Sequence, residues 1–204
     1  MNINPATATI EMLHKIAAHP WVYDQIQVLA GREQVLNRIL RSTVALRAET
    51  VVDVGGGTGA WRRLWPAGCR YVCLDIEMPK LKGFRSKVPS GFAVLSDATR
   101  MSIATESADV VTFIAVAHHL KDAMLDQVFE EALRILRVGG QLILLDPVLN
   151  RELLMGRILW RLDRGSYPRT GEELRKKMER RFKIVHWDKF AIYHEYILGI
   201  GVRQ

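Results

Sequence analysis

The chain has 204 residues, 49% of them hydrophobic and 25% charged, with a formal net charge of +7. That is apolar material for one core of ordinary domain size and too much for a disordered polyelectrolyte. The basic balance suits anionic partners without naming a chemistry, and the only cysteines, Cys69 and Cys73, exclude a disulfide framework.

Taken in chain order, residues 1–47 read as helical, an N-terminal cap segment over 1–48. Thr9 caps a run over 10–18 with Ile10, Leu13, Ile16 and Ala17 on one face. His19-Pro20 ends it. Two further helices follow over 21–29 and 33–46. The pattern then alternates, with strands at 50–54, 70–74, 92–95, 109–116 and 141–145. A short helix over 60–65 stops at Pro66-Ala67-Gly68. The stretch 77–90 holds Pro79, Gly83 and Pro89, so any helix there is short or broken. A strong helix spans 122–136 and ends at Gly139-Gly140. Further helices cover 151–163 and 170–180, and strands over 181–187 and 191–198 meet at a tight Asp188-Lys189 connection. Strand–helix alternation of this kind predicts an α/β domain over 49–204. Its sheet is Rossmann-like, doubly wound, mostly parallel and seven-stranded, with an antiparallel C-terminal hairpin. The insert at about 147–180 is the expected substrate lid.

The most informative stretch is Val51-Val52-Asp53-Val54-Gly55-Gly56-Gly57-Thr58-Gly59. A buried strand running into glycines, with a helix behind it, brings backbone N–H groups up to a nucleotide-like ligand. Asp75 closes the second strand, where a carboxylate can accept both hydroxyls of a ribose. Cys69 and Cys73 share one strand face, too far apart for a bond, and read as small core residues. No cluster of metal ligands is present, so no metal is expected. The N-terminus has neither the basic start nor the apolar run of a leader peptide, and no apolar stretch is long enough to cross a bilayer; the expectation is a soluble, cytoplasmic protein.

Five segments in register resemble class I S-adenosylmethionine-dependent methyltransferases of the small-molecule type. They are the 53–59 loop; Tyr71-Val72-Cys73-Leu74-Asp75; Ser96-Asp97-Ala98 followed by Met101-Ser102-Ile103; Ala108-Asp109-Val110-Val111 leading to His118-His119-Leu120; and Leu136-Arg137-Val138-Gly139-Gly140. Ser102 and Val138 stand where the family usually has proline.

The resemblance implies an enzyme that transfers a methyl group from S-adenosyl-L-methionine by direct displacement at the sulfonium. It implies that Asp53 holds the methionine amino group and that Gly55, Gly56, Gly57 and Gly59 admit the cofactor. Asp75 and Ile76 would hold the ribose and its surroundings, Asp97 the adenine amine and Ala98 the ring, with Phe113 and Ile114 beside the methionine. His118 or His119 is the candidate base.

For the acceptor side the candidates are Tyr23, Asp146, Arg164 and Tyr167. Four arginines (Arg157, Arg161, Arg164 and Arg169) with Trp160 and Tyr167 suit an anionic or aromatic small molecule. Asp146-Pro147-Val148-Leu149 lacks the motif of enzymes that methylate amide or nucleobase amines. The basic run over 175–183 is interleaved with acids, so a solvated helix face is expected ahead of a membrane surface, and no nucleic acid. The alternatives are a methyltransferase-like protein without turnover and a nicotinamide-binding oxidoreductase, since Gly55-x-Gly57-x-x-Ala60 also fits a dinucleotide fingerprint. The oligomeric state and the atom methylated are not written in the sequence.

Overall fold

Seven strands form one sheet: β1 (Thr50–Val54), β2 (Arg70–Asp75), β3 (Phe92–Leu95), β4 (Ala108–Ile114), β5 (Leu136–Val148), β6 (Lys183–Ala191) and β7 (Glu195–Val202), in the order β3-β2-β1-β4-β5-β7-β6. The first five are parallel, and β7 runs antiparallel to both β5 and β6. This computed structural model describes residues 34, 37–39, 48–150, 167–192 and 195–204. The helices expected over 10–29 and 151–163, and the candidates Tyr23, Arg157, Trp160, Arg161 and Arg164, lie outside them. Residues 34 and 37–39 are helical, as expected for 33–46.

Alternation along each strand divides the core between two faces. One face carries Val52, Val54, Val72, Leu74, Val111, Phe113, Leu142 and Leu144. It is covered by α2 (Asp122–Ile135), through Leu125, Val128, Phe129, Ala132 and Ile135, and by α3 (Gly171–Glu179), through Leu174 and Met178. The other carries Val51, Tyr71, Cys73, Val110, Ile143 and Leu145 beneath Trp61, Leu64, Trp65, Ile39 and α1 (Met78–Lys87). α3 begins at a complete capping box between Thr170 and Glu173, which satisfies two orphan amides of its first turn.

Four local expectations are corrected. The helix expected over 60–65 is one 3-10 turn, Arg62–Leu64. Its length is limited by Pro66, and Arg62 instead donates to the carbonyls of Trp65, Pro66 and Ala67. The stretch expected to hold at most a short or broken helix carries the unbroken ten-residue α1, because Pro79 sits in the first turn, where its missing N–H costs nothing, and Leu81 and Phe84 are buried. β5 begins at Leu136, before the Gly139-Gly140 pair, because Leu136 already pairs with Ala108 and the register then shifts before Val110. The hairpin does not turn at Asp188-Lys189. Those residues pair with Leu198 and Ile197 inside the ladder, and Phe190 stacks on Tyr196 at 5.7 Å beyond them. Arg38 holds Asp188 at 2.7 Å. In addition, Cys69 precedes β2 and only Cys73 lies on it; both are free thiols.

The basic run is largely neutralised by acids. Lys177 and Arg181 reach Asp126 on α2, Arg181 also reaches Glu130, and Arg175 and Lys176 pair with Glu179 and Glu172. No helix among the described residues is long and apolar enough to cross a membrane.

Candidate functional site

The chain order of the sheet reverses between β1 and β4, and parallel strands leave a crevice beyond their C-terminal ends at such a point. A cleft of about 300 Å³ lies there, within the usual range of small-molecule sites. Its wall runs from Asp75, Ile76, Glu77 and Lys80 past Ser96, Asp97 and Ala98 to Gly55, Ala115, Val116, His119, Leu120 and Met124.

Asp75 is 5% exposed. Its Oδ2 accepts from the Gly57 amide at 2.9 Å and its Oδ1 from the Glu77 amide at 2.8 Å. Each carboxylate oxygen has two acceptor sites, so both can still take a ligand hydroxyl. Ile76 stands beside it at 69% exposure, a large apolar side chain left uncovered at the cleft. Asp97 uses Oδ1 for the amide and hydroxyl of Thr99, at 2.8 Å each.

Of the loop glycines, Gly55 lines the cleft. It has φ of +69°, and a Cβ there would lie 2.5 Å from Val116 Cγ2. Gly56 lies beneath, where a Cβ would meet Asp53 Oδ2 at 2.6 Å and Cys73 Sγ at 2.8 Å. Gly57 contributes its amide to Asp75, and Gly59 packs towards Phe84. The loop is thus a thin floor between the cleft and the sheet interior.

Asp53 is below that floor, 1% exposed and off the cleft wall. Thr112 Oγ1 donates to it at 2.6 Å, and the Tyr71 hydroxyl donates to its other oxygen. Burial pushes its pKa up to about 6; the two hydroxyls oppose that rise and the nearby Asp75 charge adds to it. Burial, with Asp53 beside it, likewise raises the Tyr71 hydroxyl well above its ordinary value.

Phe113 and Ile114 are core residues, paired to Leu144 and Leu145 across the sheet, and Phe113 meets Phe129 edge-on at 6.3 Å. The cleft contribution of this strand comes one step later, from Ala115 and Val116. Ala115 has φ of +56°, a conformation costly for a residue with a Cβ. Such strain collects at functional sites, and nothing in the local sequence announces it. Ala115→Gly should therefore stabilise the protein by about 1 kcal/mol, read as a higher urea midpoint with unchanged slope.

The histidines occupy the 3-10 turn Ala117–His119 with their rings 4.1 Å apart. They do different things. His119 is exposed and lines the cleft, whereas His118 is buried and its Nδ1 lies 3.1 Å from Asp146 Oδ1. Asp146, buried at 1%, also accepts from the Ala117 amide at 3.1 Å, so it supports the turn instead of facing the cleft. Tyr167 is exposed and its amide donates to the His118 carbonyl at 3.0 Å. Arg169, grouped by sequence with an anion clamp, is buried and bound to Asp122 and to backbone carbonyls.

Residues 52–144 match the family model described as "Methyltransferase domain". The Thiol S-methyltransferase TMT1A of Homo sapiens is 29% identical over 107 residues, 48% of this chain and 43% of that protein. An "Uncharacterized methyltransferase" of Mycobacteroides abscessus is 32% identical over 107 residues, 50% of this chain and 40% of that one. The chain thus matches less than half the length of either relative. Among solved structures, the PH0226 protein from Pyrococcus horikoshii OT3 superposes with a TM-score of 0.72 at 21% identity, covering 85% of this chain and 90% of that one. At that identity the likeness is one of fold.

Proposed function

We propose that this chain, whose residues 52–144 match a methyltransferase-domain family model, is a class I S-adenosylmethionine-dependent methyltransferase that binds S-adenosylmethionine in the cleft and methylates a small-molecule acceptor. The observation that carries this reading is the meeting of Asp75, Asp97 and Gly55 around one cleft at the strand-order reversal. When bound, the cofactor supplies a methyl group on a cationic sulfur, open to in-line displacement.

The residues fit that group. Asp75 accepts the ribose hydroxyls, and Ile76 covers one side of the adenosine. The Oδ2 of Asp97 accepts from the adenine amine while the Ala98 backbone meets the ring. Gly55, lacking a side chain, lets the methionine end approach the backbone. Asp53 acts from below, its charge favouring a cationic ligand across the thin loop. His119 stands on the acceptor side with Val116, Leu120 and Met124 and takes the proton of the acceptor, with His118 and Asp146 fixing the turn beneath it. Aligning donor and acceptor supplies much of the rate. Tyr23, Arg164 and Tyr167 are our further candidates for contacts to the acceptor, and the 1–48 segment and the insert for its cover.

The test is calorimetry with S-adenosylmethionine followed by transfer of labelled methyl to a panel of thiols, phenols and carboxylic acids. The human relative's name places thiols first in that panel. Binding heat and label in one acceptor class are expected. Heat with a nicotinamide dinucleotide and none with S-adenosylmethionine would overturn the reading. Binding without transfer to any acceptor would leave a cofactor-binding protein without turnover.

A further inference from the structure

A three-residue 3-10 turn makes too few internal hydrogen bonds to hold its own shape. The turn Ala117–His119 is therefore fixed from outside, at both ends. Asp146 holds its amide end through Ala117 N and His118 Nδ1. Arg169 holds its carbonyl end. Its Nη1 donates to the Ala117 carbonyl at 2.9 Å and the Tyr167 carbonyl at 3.1 Å, its Nη2 to the Leu120 carbonyl at 2.6 Å, and its Nε to Asp122 Oδ1 at 2.8 Å. The guanidinium is 8% exposed as a residue, so these partners are what make its burial tolerable.

Arg169 also stands where two distant parts of the chain join. Its carbonyl accepts from the Leu149 amide at 2.8 Å, and the neighbouring Tyr167 amide donates to the His118 carbonyl at 3.0 Å. The chain leaving β5 and the chain entering α3 are thereby stitched together against the histidine turn.

We propose that Arg169 is a positioning residue: by gripping the carbonyls of Ala117 and Leu120 it sets the His119 ring at the acceptor side of the cleft. This rests on His119 being the proton acceptor proposed above. It also removes Arg169 from the cations available to an anionic acceptor. A planar fork with donors in several directions can reach three carbonyls and a carboxylate together; a lysine ammonium cannot reproduce that geometry.

The experiment uses the full chain, Arg169→Met and Arg169→Lys, with imidazole proton NMR titrations, amide exchange and calorimetry with S-adenosylhomocysteine. In both folded variants the His119 ring resonance and its titration midpoint should move. Amide exchange at His119 and Leu120 should rise about tenfold in Arg169→Met and less in Arg169→Lys, as expected when a local opening becomes easier. Affinity for S-adenosylhomocysteine should stay within about threefold, because loss of these distant contacts leaves the Asp75 hydrogen bonds intact. A purely stabilising role would lower the melting temperature and leave the folded-state histidine titration in place. An unchanged His119 midpoint and unchanged exchange in folded Arg169→Met would overturn the proposal. Should that variant fail to fold, Asp122→Ala removes the Nε acceptor, at an exposed acid whose other contact is Lys177 at 3.4 Å, and must move the same signals in the same direction; no movement there overturns it equally. Failure of the unsubstituted chain to bind S-adenosylhomocysteine would instead sink the methyl-transfer reading, and the histidine signals would still decide the role of Arg169.

Discussion

Replacing Asp75 by alanine should weaken S-adenosylmethionine binding by about 2–3 kcal/mol, roughly 30- to 150-fold in Kd. Two effects combine. The ligand loses a charged acceptor for its ribose hydroxyls, and hydrogen bonds to charged groups are the stronger kind. The loop also loses the group that orients it, because Asp75 Oδ2 receives the Gly57 amide and Oδ1 the Glu77 amide. Asp75→Asn should keep one of these roles, since its amide oxygen can still accept, and fall between the two. Calorimetry on the three proteins checks this. Equal affinities would remove Asp75 from the ribose.

Asp53→Asn should act in opposite directions on stability and on binding. Asp53 has its pKa raised to about 6 in the folded protein, from an ordinary 3.8. Folding therefore favours its protonated form, and the stability it contributes is fully present below about pH 4 and is lost as pH rises through 6. At pH 7 the ionised carboxylate costs about 3 kcal/mol relative to acid conditions. Asparagine is neutral throughout. The variant should gain up to that amount above pH 6 and little near pH 4, which urea unfolding at both pH values reads directly. Tyr71 and Thr112 can each rotate a hydroxyl to suit an amide, so the buried triangle survives the change. Binding of the cationic cofactor should weaken, because the negative charge under the loop is gone, whereas the uncharged thioether product should be less affected. Identical pH dependence of stability in the two proteins would show that Asp53 is not the buried charge described.

The two predictions share a cause. Asp53 and Asp75 project from the same face of neighbouring strands, with Cys73 between them, and burial with Asp53 beside it pushes the Cys73 thiol up. Asp75 is spent on the loop amides and, in the function we propose, on the ligand, and Asp53 is held in reserve beneath at a cost to stability. Such a cost is common where a site is prepared for charge.

The fold was legible from the chain because its signals are local. Alternation of 4–7 apolar residues with breakers marked every strand of the parallel core, and β1, β2 and β4 are buried on both faces as their near-continuous apolar runs require. The acids at Asp75 and Asp97 and the glycines after Val54 could be placed at a ligand edge, because parallel strands put all their C-terminal ends on one side. What local pattern does not contain is where a strand leaves the sheet and which distant groups meet. The bend at Ala115 moved the cleft contribution from Phe113 and Ile114 to Ala115 and Val116. Asp53 reads like a ligand residue in its motif, yet Tyr71 and Thr112 claim its carboxylate below the loop. Arg169 reads like an anion clamp, yet its partners lie about fifty positions earlier, at Ala117, Leu120 and Asp122. Periodicity thus determined the sheet, its faces and its ligand edge, since backbone geometry repeats every two residues. Only tertiary packing decided which buried polar groups are spent on one another and which are left for a ligand, because a polar group taken out of water must bond whatever the folded chain brings within reach.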